Sequence, residues 1–231
     1  MHIDTGRWSE TVVEGVDLTV PKGQVTALLG ESGGGKSMLA AALTGRLPDT
    51  AQATGDVLIE GAHVEDWREV RGRTVGLVPQ EGASAFTAAD TVGAQLRGLE
   101  QRHRRWTVER ACAAARYPLD ALDLYPDQHS SGQVQRAALA AALLPVPGLL
   151  IADEPTASLD TGLAYEVWGT LREYADTGAA VLAITHDVHH VVALGVADRM
   201  VVLREGRITA AGTPDEIRRL EDPYVQGFFR T

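Results

Sequence analysis

Cysteine is nearly absent: Cys112 is the single one in 231 residues. A lone thiol forms no internal disulfide and offers no metal-cluster spacing, and it suits a reducing cytosol. Long apolar runs are missing as well. No stretch approaches the roughly 18 apolar residues of a membrane helix, although 45% of the residues are hydrophobic, an ordinary share for a globular chain. Met1-His2-Ile3-Asp4-Thr5 has neither a basic segment nor an apolar core, so no export signal is expected. Basic charge is short: 21 Lys and Arg stand against 31 Asp and Glu, a formal net charge of −10. Nucleic-acid binders carry a basic footprint, so no nucleic-acid partner is expected. The basic run Arg102-His103-Arg104-Arg105 reads as a solvated face.

What the chain does have is alternation of apolar strands with helices. Val25–Leu29, Val75–Val78, Leu149–Ala152 and Ala180–Ile184 are continuous apolar runs, the pattern of strands covered on both faces of a parallel α/β sheet. Val16–Val20 alternates, and Val57–Gly61 is strand-like; together they predict a small antiparallel layer beside the main sheet. From about Ala88 to Leu144 the pattern is helical and alanine-rich, broken at Pro118 and Pro126. Ser130 or Ser131 is placed to cap a helix that Pro145 ends. Met200–Leu203 and Arg207–Ala210 flank Arg204-Glu205-Gly206 as a hairpin. The length suits one domain: a core and antiparallel layer over 1–81 and 146–231, with a helical subdomain over about 82–145.

Gly30-Glu31-Ser32-Gly33-Gly34-Gly35-Lys36-Ser37 matches G-x-x-x-x-G-K-[ST] and lies between a strand and a helix, as that motif requires. Glycines let the backbone curl so that successive N–H groups face phosphate oxygens, and the following helix aims its positive end at the same anion. Lys36 then reaches the β- and γ-phosphates, and the Ser37 hydroxyl ligates Mg²⁺. The strand Leu149–Ala152 ends in Asp153-Glu154. Ligands of open α/β sheets bind beyond the carboxyl ends of the strands, which brings Asp153 toward Ser37 as a second magnesium ligand, through water. Glu154 is then placed to polarise the water that attacks the γ-phosphate.

With these motifs the sequence resembles the nucleotide-binding subunits of ATP-binding cassette transporters, over nearly its whole length. The resemblance implies an α/β P-loop core with a parallel sheet, a small antiparallel β subdomain and an α-helical insertion. It implies ATP and Mg²⁺ as ligands and hydrolysis of ATP. Trp8 matches the aromatic residue that stacks on adenine, with a core tryptophan as the other reading. Gln80 matches the glutamine that touches Mg²⁺ and whose loop senses the membrane partner. His186 matches the histidine that contacts the γ-phosphate, and Asp160, in Ser158-Leu159-Asp160, the loop that crosses to a partner subunit. The signature Leu-Ser-Gly-Gly-Gln appears as His129-Ser130-Ser131-Gly132-Gln133. In the family this segment contacts the nucleotide of the other subunit, so Ser130, Gly132 and Gln133 are implied contacts in trans. Ser131 adds a side chain where backbone is to approach phosphate, which is expected to weaken this half of a dimer. His189 and His190 read as an exposed helix face rather than a metal site.

The resemblance also implies partners: a second cassette subunit (a homodimer, or the favoured heterodimer), two permease subunits and, indirectly, an extracytoplasmic substrate-binding protein. The chain would then sit peripherally on the cytoplasmic face of the cell membrane. Leu47-Pro48, Thr54-Gly55, Ser84-Ala85-Phe86 and Leu124-Tyr125-Pro126 are similar to the peptide/nickel branch of importers. That branch takes up peptides, nickel or metal chelates. The end soon after Pro223-Tyr224 resembles its short, nickel-type members. The alternative is a soluble, non-transport cassette ATPase acting on a macromolecular complex. Such proteins usually carry two cassettes or a long coiled-coil insert.

Overall fold

The computed structural model describes residues 1–4 and 9–230. β1 (His2–Asp4) and β2 (Ser9–Thr11) open the chain, and β3 (Val25–Leu29) leads through the glycine loop into α1 (Lys36–Leu43). β4 (Ala51–Gln52), β5 (Leu58–Ile59), β6 (Ala62–His63) and the one-turn α2 (Trp67–Val70) precede β7 (Val75–Val78). The helical insertion follows: α3 (Val92–His103), α4 (Val108–Ala114) and α5 (Ser131–Leu143). β8 (Leu149–Asp153), α6 (Thr161–Asp176), β9 (Ala180–Ile184) and α7 (Val188–Ala193) return to the sheet. The hairpin of β10 (Arg199–Arg204) and β11 (Arg207–Gly212), then α8 (Pro214–Arg218) and α9 (Pro223–Gly227), complete the chain.

The main sheet has the order β11-β10-β3-β9-β8-β7. Every pairing in it is parallel except that of β10 with β11. Its inner strands β3, β8 and β9 are almost wholly apolar because each face is covered. Ala27 and Leu29, Leu150 and Ala152, Val181 and Ala183 face the larger core, built mainly with α3 to α6. Leu28, Ile151, Leu182 and Ile184 face a second core with α1. The register decides where function sits: Asp153 pairs with Ile184, and Leu28 pairs with the same residue. The loops after β3, β8 and β9 therefore leave one edge of the sheet at the same level. Cys112 is buried in the larger core, where desolvation pushes its thiol up to about 11, so it stays protonated.

Two small antiparallel sheets lie apart from this one: β2-β1-β4, and the hairpin of β5 with β6. The expected strand at Val16–Val20 is not formed. Val16, Leu18 and Val20 instead pack on the second core from an extended segment. Alternation reports burial of one side, and a ladder additionally needs an aligned neighbour.

The insertion breaks where its prolines stand, with 3₁₀ turns at Leu119–Ala121 and Pro126–Gln128. Ser130 caps α5 reciprocally: Gln133 N–H donates to Ser130 Oγ at 3.2 Å, and Ser130 N–H donates to Gln133 Oε1 at 3.0 Å. Pro145 follows the end of this helix.

Candidate active site

The glycine loop is shaped in part by backbone that only glycine tolerates. Gly35 has φ +95°, and a Cβ there would lie 2.7 Å from Val13 Cγ2. Lys36 begins α1 with its side chain buried under the loop, and Nζ donates to the carbonyls of Gly30 at 2.7 Å and Glu31 at 2.8 Å. An ammonium has three hydrogens, so one remains for a third acceptor. The first turn of α1 has no acidic residue, which leaves the positive end of the helix uncompensated. Burial lowers the Lys36 pKa, while Glu154, Asp153 and Glu31 act to raise it.

Asp153 ends β8 and is buried. Desolvation raises its pKa most; the nearby Ser37 hydroxyl lowers it, Glu154 raises it and Lys36 lowers it. Its Oδ1 is buried without a partner. A carboxylate oxygen in that position beside a hydroxyl fits a hard divalent cation, which takes oxygen ligands.

Glu154 turns away from the strand with φ +46°. This left-handed conformation is rare for a residue with a side chain, and such strain concentrates at functional sites. Its N–H donates to Ile184 O at 2.8 Å, locking the turn to β9. Across that junction His186 Nδ1–H donates to Glu154 Oε1 at 2.8 Å. The glutamate side chain is 10% exposed and the imidazole 69%. Thr185 fixes the histidine's loop, since its N–H donates to Leu28 O at 3.1 Å and its Oγ1 accepts from Asp187 N–H at 2.9 Å. Glu154 and His186 line an open cleft of about 400 Å³ with Leu159, Ala164, His189 and His190.

The structure thus joins Lys36, Ser37, Asp153, Glu154 and His186. Gln80 follows β7 and is exposed. The segment 130–133 stands on the insertion, and no hydrogen bond or ion pair among the described residues links it to the glycine loop. Gly132 packs against the loop that holds Asp160: a Cβ there would meet Leu159 Cδ2 at 3.1 Å. Asp160 caps α6 by accepting from Leu163 N–H at 3.0 Å. Ser131 is exposed in the first turn of α5 and has no positive φ, so a serine fits there without backbone strain. His190 departs from the expected exposed face: it is half-buried, edge-on to Tyr165 and hydrogen-bonded to Asp187. Trp8 lies outside the described residues.

A model of the family described as ABC transporter matches residues 13–157. The chain belongs to that family. The oligopeptide transport ATP-binding protein OppD of Mycobacterium tuberculosis is 36% identical over 236 residues, covering 94% of this chain and 38% of that protein. The chain thus spans well under half the length of this relative. The nickel import system ATP-binding protein NikD of Staphylococcus aureus is 33% identical over 213 residues, covering 88% of this chain and 82% of that protein. A solved structure of the ATP-binding subunit of an ABC transporter superposes with TM-score 0.79 at 27% identity, covering 94% of this chain and 91% of that one. The α/β P-loop architecture with antiparallel strands and a helical insertion is that of ABC cassettes.

Within this cassette one residue escaped the sequence reading. Gln135, buried on α5, donates from Nε2 to Pro79 O at 3.0 Å and so ties the signature helix to the loop carrying Gln80. A glutamine on a helix face that is otherwise Val134, Ala138 and Leu139 was the available signal.

Proposed function

We propose that this chain binds and hydrolyses ATP as the motor of an importer for peptides, nickel or metal chelates, delivering the work to separate permease subunits. The observation that carries the reading is the meeting of the acidic pair with the glycine loop and His186: Ser37 and Lys36 lie close enough to Asp153 to lower its pKa, and His186 is hydrogen-bonded to Glu154. Lys36 and the N–H groups of residues 30–37 hold the triphosphate, and the third Nζ hydrogen serves a phosphate oxygen. Ser37, Asp153 and Gln80 would hold Mg²⁺, which when bound neutralises charge on the phosphates. Glu154 accepts the proton of the attacking water. His186 keeps that carboxylate aimed and offers its other ring nitrogen to the γ-phosphate. Trp8 stacks on the base.

The helical stretch at about 82–145 acts as a subdomain. It presents Ser130, Gly132 and Gln133 to nucleotide held by a second cassette, with Asp160 crossing at the same junction. A heterodimer suits the altered signature. Two permeases complete the transporter at the cytoplasmic face of the membrane, with an extracytoplasmic binding protein capturing the substrate. The relatives named for oligopeptide and nickel transport support this branch.

Lys36→Ala removes the cation at the centre of the site, and Mg-ATP turnover is expected to fall by about 10²-fold or more. Phosphate release from purified protein measures this, and turnover equal to wild type would refute the reading. Uptake of labelled nickel and labelled dipeptide, with and without the gene, separates the substrate classes.

A further inference from the structure

The pairing of β3 with β10 ends where the glycine loop begins. Leu29 pairs with Val202, and beyond that rung the chain leaves β3. Gly30 still passes so close to β10 that a Cβ on it would lie 2.5 Å from Leu203 O. Between Leu203 and Glu31 stands the hydroxyl of Tyr224, from α9. It donates to Leu203 O at 3.2 Å, and Glu31 N–H donates to it at 3.1 Å. A phenol has one hydrogen and can also accept, so both bonds form together. The hydroxyl thus joins strand to loop where the β3–β10 register has ended.

The position of this hydroxyl is set from outside the loop. Asp222 caps α9 by accepting from Tyr224 N–H at 2.7 Å and from Val225 N–H at 3.2 Å. Val225 is buried in the larger core, and Tyr224 and Phe228 pack against that core. Gln226 Nε2 donates to Arg218 O at 2.9 Å and to Leu220 O at 2.7 Å, which ties α9 to the end of α8. Phe228 meets the phenol ring edge-on with centroids 5.2 Å apart, and the Arg204 guanidinium lies 4.8 Å from the ring centroid.

On the loop side, the Glu31 carbonyl accepts from Lys36 Nζ at 2.8 Å and from Gly34 N–H at 3.1 Å. The N–H and the carbonyl of Glu31 flank one Cα, so a bond that fixes the first restrains the second. Tyr224 therefore acts on Lys36 through a single residue. Glu31 is exposed, so without the hydroxyl its N–H can turn to water. The fold would lose little, and the loop would lose its hold on α9.

We propose that Tyr224 is a positioning residue for triphosphate binding: its hydroxyl holds Glu31, and with it the Lys36 ammonium, in the geometry that grips phosphate. This rests on the reading that the glycine loop and Lys36 hold ATP.

The test compares the purified wild-type chain with Tyr224→Phe, which deletes the hydroxyl alone. Calorimetric titration with the non-hydrolysable imido analogue of Mg-ATP is expected to show Kd raised about three- to tenfold, the worth of one hydrogen bond. In the transporter complex, purified through a tag on this chain, KM for Mg-ATP should rise by a similar factor while kcat stays within about twofold, the pattern of binding lost equally from ground and transition states. The melting temperature should fall by at most about 2–4 °C, and exchange of the Glu31 amide hydrogen should quicken. A merely structural role would move the melting temperature and leave Kd and KM in place. Equal Kd for the two proteins, or a fall in kcat with KM unchanged, would overturn the proposal. If the wild type itself does not bind the analogue at millimolar concentration, the reading of the glycine loop falls. Wild-type binding that Tyr224→Phe matches sinks only the role of Tyr224.

Discussion

The carboxylate of Asp153 has one oxygen buried without a partner, and its charge is pushed toward neutrality chiefly by desolvation. Its folded-state pKa is raised, so the folded chain binds this proton more tightly than the unfolded chain does. The resulting stabilisation is present in acid and is lost as pH rises through the raised value; above it the buried charge opposes folding. Asp153→Asn removes that charge and keeps the shape. Without nucleotide, the variant is expected to melt about 2–4 °C higher at neutral pH, corresponding to about 1 kcal/mol. The gain should shrink as pH is lowered. Magnesium-dependent turnover should be lost in the same variant, because the ligand oxygen is halved in number. Thermal melts across pH measure the first effect, and a lower melting temperature at neutral pH would contradict the account. Natural sequence tolerates the unstable charge because the site needs it.

At the scale of elements, the start of α5 separates two adjacent serines. Ser130 caps the helix through its side chain, whereas Ser131 is exposed in ordinary helical backbone. Ser130→Ala should cost about 1 kcal/mol of stability, seen in denaturant unfolding. Ser131→Gly should change stability by at most about 1 kcal/mol and preserve or raise coupled ATP turnover; a sharp fall would give Ser131 a part in the site. Ser130 was legible as a cap because the hydroxyl, the glutamine three residues on and the terminal Pro145 are all local. β3, β7, β8 and β9 were legible for a related reason: burial leaves continuous apolar runs. β1, β2 and β4 were not legible, since His2–Asp4, Ser9–Thr11 and Ala51–Gln52 are short and largely solvent-facing. The clamp of Gln135 on Pro79 spans 56 residues of sequence, and nothing local encodes its partner. Lys36, Ser37, Asp153 and Glu154 were readable from motifs, yet the left-handed turn that brings Glu154 to His186 was not.

For the whole molecule, one edge of the sheet gathers the loops after β3, β8 and β9, while the signature turn stands on the insertion between β7 and β8. On the proposed reading the two halves are complementary: one end holds a triphosphate, and the other offers a capped helix start with Ser130 and Gly132 near Asp160. On the proposed reading they meet only between subunits, so closure is driven by nucleotide binding and released by hydrolysis. Glu154→Gln tests that linkage without disturbing the fold, because a glutamine carbonyl still accepts the His186 Nδ1–H bond that fixes the loop. It removes the proton acceptor, so turnover should drop by about 10²–10⁴-fold while affinity for Mg-ATP persists. The closed assembly should then accumulate. Size-exclusion chromatography with light scattering, with Mg-ATP in the buffer, should show the mass of the variant doubling, alone or mixed with its partner cassette. Mass that stays monomeric in both mixtures, with ATP bound, would mean that the signature turn does not complete a neighbour's site.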